Sequence, residues 1–189
     1  MTFLTPPLVE PPLAMAKTIL GLSNHLSWSP HCITWHNTGV PSLGLWDRPG
    51  YPRQNWIAGL NAYYRNMGWH SGPHFCGTPD SAIMFCDPLA DGVHCSCENH
   101  IAFGVETIGN FTPGGDDPRS PRGLASMTSS ATIIAALCLR FGWSVDASHI
   151  HFHRQCTNDH HACPGSLVTD TWAILLITQQ MEIIKHANI

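Results

Sequence analysis

The chain has 189 residues, of which 43% are hydrophobic and only 12% charged, against ~25% charged in an ordinary globular domain. That length is enough for one domain with a substantial core. The formal net charge of −4, with no basic patch, argues against a nucleic-acid partner, and no apolar run approaches the roughly 20 residues that a membrane helix needs.

In chain order, residues 1–30 are a Pro-rich opening, without the basic start of a signal peptide, followed by AMAKTILGLSNHL at helical spacing. CITWH, from Cys32 to His36, reads as a strand ending in a polar turn. RQNWIAGLNAYYRNM places Trp56, Leu60 and Tyr63/Tyr64 at helical intervals, with Gly68 as a stop. Short strands are predicted at His74–Cys76 and Ile83–Cys86 around the turn GTPDS, and a buried strand at 101–109. FTPGGDDPRSPRG is a loop. SMTSSATIIAALCLRFG is a helix with serine and threonine caps and Gly142 at its end. SHIHFH is a further strand, and a final helix runs from about 166 to 185. Strands interleaved with helices predict a single α/β domain, helices packed on a central sheet.

The chemistry concentrates in two residue types. Thirteen histidines accompany nine Lys plus Arg, and there are eight cysteines. Histidine is the commonest metal ligand, and without a secretory signal reduced thiols are the default. The stretch HFHRQCTNDHHACPG holds four histidines and two cysteines. On a strand, His151 and His153 share a face, and Cys163 can fold back beside either. Catalytic zinc usually takes three protein ligands, and His36, at the end of ITWH, is the natural third. Two bland readings stand beside this one: a hydrogen-bonded core histidine at position 36, and a Cys156–Cys163 disulfide in an exported protein.

ITWHNTG, GWHSGPHF, GVHCSCENHIAFGVETIGNF and HFHRQC…HHACPG, in that order, resemble the zinc-dependent N-acetylmuramoyl-L-alanine amidases. This is the type-2 group shared by phage endolysins, cytosolic muropeptide amidases and peptidoglycan-recognition proteins. The likeness covers roughly residues 30–170. It implies a central mixed β-sheet flanked by helices, with 31–189 as the catalytic domain and 1–30 as an N-terminal extension packing on it. It implies one zinc ion on His36, His153 and Cys163, which decides against His151 as a ligand and leaves it to orient one. It also implies Glu106, in FGVETIG, as the general base and acid, and His161 as an oxyanion donor where relatives often carry lysine. The family's tyrosine ahead of HF is missing, since Pro73 stands there, which shifts weight to Glu106. His74, His94 and Asn99 fall where relatives contact substrate.

Of the remaining cysteines, Cys95 and Cys97 lack Cys-x-x-Cys spacing and read as ordinary loop residues. Cys32, Cys76, Cys86 and Cys138 read as small buried hydrophobes. Trp46, Trp56 and Trp69 are sugar-stacking or packing residues. The implied activity is hydrolysis of the bond between N-acetylmuramic acid and L-alanine of peptidoglycan, by a monomer with no membrane partner. A phage endolysin is expected, held in the cytoplasm and reaching the wall after holin-type release. The competing readings are a cytosolic enzyme recycling anhydro-muropeptides and a non-catalytic recognition module; filled ligand positions and Glu106 argue against the last.

Overall fold

The computed structural model describes residues 2–158, 162–187 and 189. Among the described residues, six strands form one mixed sheet in the order β1-β4-β3-β5-β2-β6. They are β1 (Phe3–Glu10), β2 (Cys32–Trp35), β3 (Phe75–Gly77), β4 (Ala82–Cys86), β5 (Ala102–Thr107) and β6 (Ile150–Phe152). The strands β3, β5, β2 and β6 run parallel, and β4 and β1 extend one edge, each antiparallel to its neighbour, so that β4 alone runs against the rest. Helices α1 (Pro12–Leu20), α2 (Leu43–Trp46), α3 (Arg53–Asn66), α4 (Pro121–Phe141) and α5 (Asp170–His186) complete the fold. The expected single α/β domain with a mixed sheet is what the chain forms.

The opening segment contributes more than a covering layer. TPPLVE pairs with β4 as the edge strand, a position that tolerates Pro6 and Pro7 because one side of the strand needs no ladder donors. Helix α1 follows, with Met15, Ala16 and Ile19 fully buried. It packs on α4, which also contacts α5, β3 and β5.

Helix α4 begins five residues before the predicted SMTSS start. Ser120 is its N-cap, accepting from the Gly123 N–H at 3.1 Å, and Pro121 opens the first turn, where proline costs no hydrogen bond. Gly142 ends it at φ 69°, the left-handed conformation that favours glycine. The helix is apolar and long enough to cross a membrane by length and composition, yet it is the central core helix, with Met127, Ala131, Ile133, Ile134 and Leu137 without exposure. The apolar core lies between it and one face of the sheet. Phe103 meets Phe141 there, and Trp35 stacks on Phe152.

Candidate metal centre and active site

Three adjacent parallel strands set the site. Trp35 of β2 is in register with Val105 of β5 and Phe152 of β6, and the next residues along are His36, Glu106 and His153. Side chains alternate across a sheet. Trp35 faces α4, its indole N–H donating to Thr107 Oγ1 at 2.7 Å, and Thr107 in turn bonds Ser130 of α4. Each following residue therefore turns to the opposite face, at the carboxyl ends of parallel strands, where open α/β sheets place their ligand sites.

Cys163 joins them from a loop. Its carbonyl accepts from the Arg154 N–H at 2.7 Å, and its sulfur accepts from the Asn37 N–H at 3.2 Å. Gly165 stands at φ 103°, and a Cβ there would come within 2.3 Å of the Phe111 carbonyl oxygen, so only glycine lets the loop lie this close. His36 Nδ1 sits 3.1 Å from His153 Nδ1 and 3.8 Å from Cys163 Sγ. One ligand atom from each lies within 4.8 Å of the other two, and all three residues are buried. Donors around tetrahedral zinc stand roughly 3.3–3.8 Å apart, given Zn–N of about 2.0–2.1 Å and Zn–S of about 2.3 Å. The two-nitrogen, one-sulfur set fits zinc in chemistry and spacing. Burial, and then the Glu106 carboxylate, push the Cys163 thiol well above its ordinary range.

These residues open into a cavity of about 610 Å³, walled on the far side by Tyr51, Trp56, Tyr63, Tyr64 and Trp69 from α3 and its flanks. Glu106 lines the same cavity. Its Oε2 is buried without a hydrogen-bond partner among the described residues, and burial lifts the carboxyl to about 8. An unpartnered carboxyl oxygen is costly to bury, and a carboxyl whose basicity burial raises is suited to exchanging a proton with a reacting group. Tyr64 beside it is raised by burial and then by Glu106. Of the three singled-out tryptophans, Trp56 and Trp69 line the cavity. Trp46 is core, its indole N–H bonded to Asp80.

Several expectations need correction. His74 does not line the cavity: it is fully buried, stacked on Trp28. Its Nε2 donates to the Ala90 carbonyl at 3.0 Å and its Nδ1 accepts from the Gly104 N–H at 3.2 Å. Desolvation holds it near 4, so it is a neutral core residue. Asn99 also faces away from the cavity, its Oδ1 accepting from the N–H groups of His94 and Cys95 at 2.7 and 2.8 Å. His94 does reach the cavity. His151 pairs with Glu98 at 2.6 Å, and Glu98 also accepts from Thr34. His161 lies outside the described residues.

The cysteines bring the largest surprise. Cys97 and Cys156 form a disulfide across 59 residues, with Cα atoms 5.8 Å apart, where reduced loop thiols were expected. The sulfur of Cys95 lies within 4.8 Å of both. Spacing along the chain gave no sign of this, because the pairing joins the loop before β5 to the loop after β6, which are distant in sequence. The alternative Cys156–Cys163 bridge does not form, since Cys163 turns towards His36.

Residues 27–166 match the family described as N-acetylmuramoyl-L-alanine amidase. The chain belongs to that family. Among solved structures the amidase resembles the endolysin N-acetylmuramoyl-L-alanine amidase LysCS from Clostridium intestinale URNW, with TM-score 0.54 and 21% identity over 77% of this chain and 82% of that one. It also resembles a mutant endolysin from Bacillus subtilis, with TM-score 0.51 and 19% identity over 75% and 80% of the two chains. A mutant form of PlyL matches with TM-score 0.55 and 15% identity over 87% and 92%. No significant match exists among curated proteins. The resemblance drawn from WHNT, GVHCSCEN, FGVETIG and HFHRQC is thus established at the level of the family. The amidase is a peptidoglycan hydrolase that cuts between N-acetylmuramic acid and L-alanine.

Proposed function

We propose that the amidase is zinc-dependent, with one zinc ion held by His36 Nδ1, His153 Nδ1 and Cys163 Sγ, and that it serves as a phage or prophage endolysin. The observation that carries the zinc reading is the two-histidine, one-cysteine cluster sharing a cavity with the orphaned Glu106 Oε2. The lysin reading rests on the solved structures it resembles, two of which are named endolysins.

When bound, zinc supplies the Lewis acidity that polarises an amide carbonyl and lets water ionise near neutrality. The chain's own residues do the rest. Glu106 takes the proton of the attacking water at Oε2 and returns it to the departing alanine nitrogen, which cannot leave as an anion. The aromatic wall offers flat apolar faces to a glycan strand, and His161 donates to the oxyanion. The test is digestion of purified sacculi. New free amino termini without new reducing sugar ends, lost on chelation and restored by zinc, are expected. Reducing ends would indicate a glycosidase and sink the reading. Preference for intact sacculi over soluble anhydro-muropeptides separates lysin from recycling enzyme.

A further inference from the structure

The second ring nitrogen of His36 meets His94, a residue outside the two-histidine, one-cysteine cluster. We propose that His94 is a positioning residue, which locks His36 into the one tautomer able to ligate through Nδ1, and is not a substrate contact. The proposal rests on the zinc reading above.

The hydrogen bonds leave little choice. A backbone carbonyl only accepts, so the 3.0 Å contact from His94 Nε2 to the Ala102 oxygen places the imidazole hydrogen on Nε2. A neutral ring then carries a lone pair on Nδ1, and that atom lies 3.1 Å from His36 Nε2. His36 must donate there. Its own Nδ1 is left with a lone pair, aimed where His153 Nδ1 and Cys163 Sγ converge. The relay runs from a carbonyl fixed in β5, through His94, to the metal side of His36. The other tautomer of His36 would set two lone pairs against each other at the His94 contact and a hydrogen against the incoming cation.

His94 is itself held from two sides. Asn99 Oδ1 accepts from its N–H and from that of Cys95, fixing the loop. Its ring lies on Gly104, where a Cβ would come within 2.5 Å of the imidazole. Glycine at position 104, two residues before Glu106 on the same face, is what admits the ring. Both ring nitrogens of His94 are thus committed to protein partners, which leaves neither to bind substrate. The two rings meet edge to face, 5.2 Å apart at 80°.

The test uses the oxidised, full-length protein without thiol reductants, and two readouts besides activity. Zinc affinity is measured by competition with a chromophoric chelator, with Cys163→Ser marking the site. The His36 tautomer is read from long-range ¹H–¹⁵N spectra of the zinc-free protein. Wild type should carry the His36 hydrogen on Nε2. His94→Phe should weaken zinc binding by about 10–100-fold, the usual cost of losing such a partner, and mix the tautomers. His94→Asn, whose Oδ1 stands near the position of the lost Nδ1, should recover most of the affinity. Gly104→Ala, which pushes the ring off its seat, should reproduce the Phe defect with every donor still present. A purely structural His94 would lower the thermal midpoint and leave the tautomer untouched. The proposal is overturned if wild-type His36 is protonated on Nδ1, or if folded His94→Phe binds zinc as tightly as wild type. Should His94→Phe not fold, the wild-type spectrum and the Asn variant decide. A wild type that binds no zinc refutes the zinc reading instead, and the spectrum still answers for His94.

Discussion

The two faces of β5 are one sequence under opposite rules. Phe103, Val105 and Thr107 face α4, where Phe103 meets Phe141 and Thr107 is bonded to Ser130. Gly104 and Glu106 lie on the opposite face, where Gly104 has no side chain and sits under the His94 ring, and Glu106 lines the cavity with an unpartnered oxygen. Close packing governs the first face, and every polar atom named there is satisfied. The second tolerates an absent side chain and an unmatched carboxyl, departures that destabilise a fold and that an active site requires. Six residues therefore separate stability from chemistry by parity alone.

The largest expected break in that symmetry is Glu106→Gln. Turnover on sacculi should fall by about 10²–10⁴-fold, the range for losing a general base, while zinc content stays as in wild type; full activity would remove Glu106 from the mechanism. The same variant should be the more stable protein. Glu106 ionises in the unfolded chain near 4.5 but is held to about 8 when folded. Below about 4.5 both states keep the proton and the carboxyl contributes no difference. As pH rises from there to about 8 only the unfolded state releases it, so wild-type stability falls. In zinc-free protein the gap in stability between Glu106→Gln and wild type should open across that window, to several kcal/mol, and then level off. A gap that does not vary with pH would mean that Oε2 finds a partner in solution.

Phe103→Ala probes the other face. It should cost about 3–5 kcal/mol in urea unfolding with zinc affinity unchanged in the folded fraction; a comparable loss of affinity would show that the faces are coupled. Removing the disulfide with Cys97→Ser should cost about 2–4 kcal/mol, from the freed 59-residue loop. Ser130→Ala, which deletes the bonds to Thr107 and to the Glu106 carbonyl, should cost about 1 kcal/mol. Calorimetry on each variant checks the order.

Much of this division is legible in the amino-acid sequence. Strand patterning put His36 and His153 at strand ends, the family resemblance picked Glu106 out of the strand predicted at 101–109, and helical periodicity found α3, α4 and α5 to within a few residues. What escaped has physical causes. The edge strand TPPLVE is hidden because its prolines read as a break, and only an edge permits them. Helix α4 starts early because Ser120-Pro121, a capping pair, sits inside what reads as a loop. His74 and His94 occupy similar settings in the sequence, yet one is buried on Trp28 and the other abuts His36. That difference arises from which carbonyl each ring meets, which local pattern does not encode. The disulfide depends on two loops meeting in space, which is a tertiary fact.

The shared register of Trp35, Val105 and Phe152 also bears on how such a chain can change over time. Deleting one residue within β2 would carry His36 to the α4 side and swing an indole into the cavity, removing a ligand while leaving the composition of the strand almost untouched. Cys163 hangs from a loop and can absorb a length change by re-forming its turn. Insertions should therefore be tolerated between the strands and purged within them, so the lengths of β2, β5 and β6, more than their residues, are the inherited dimension of this site.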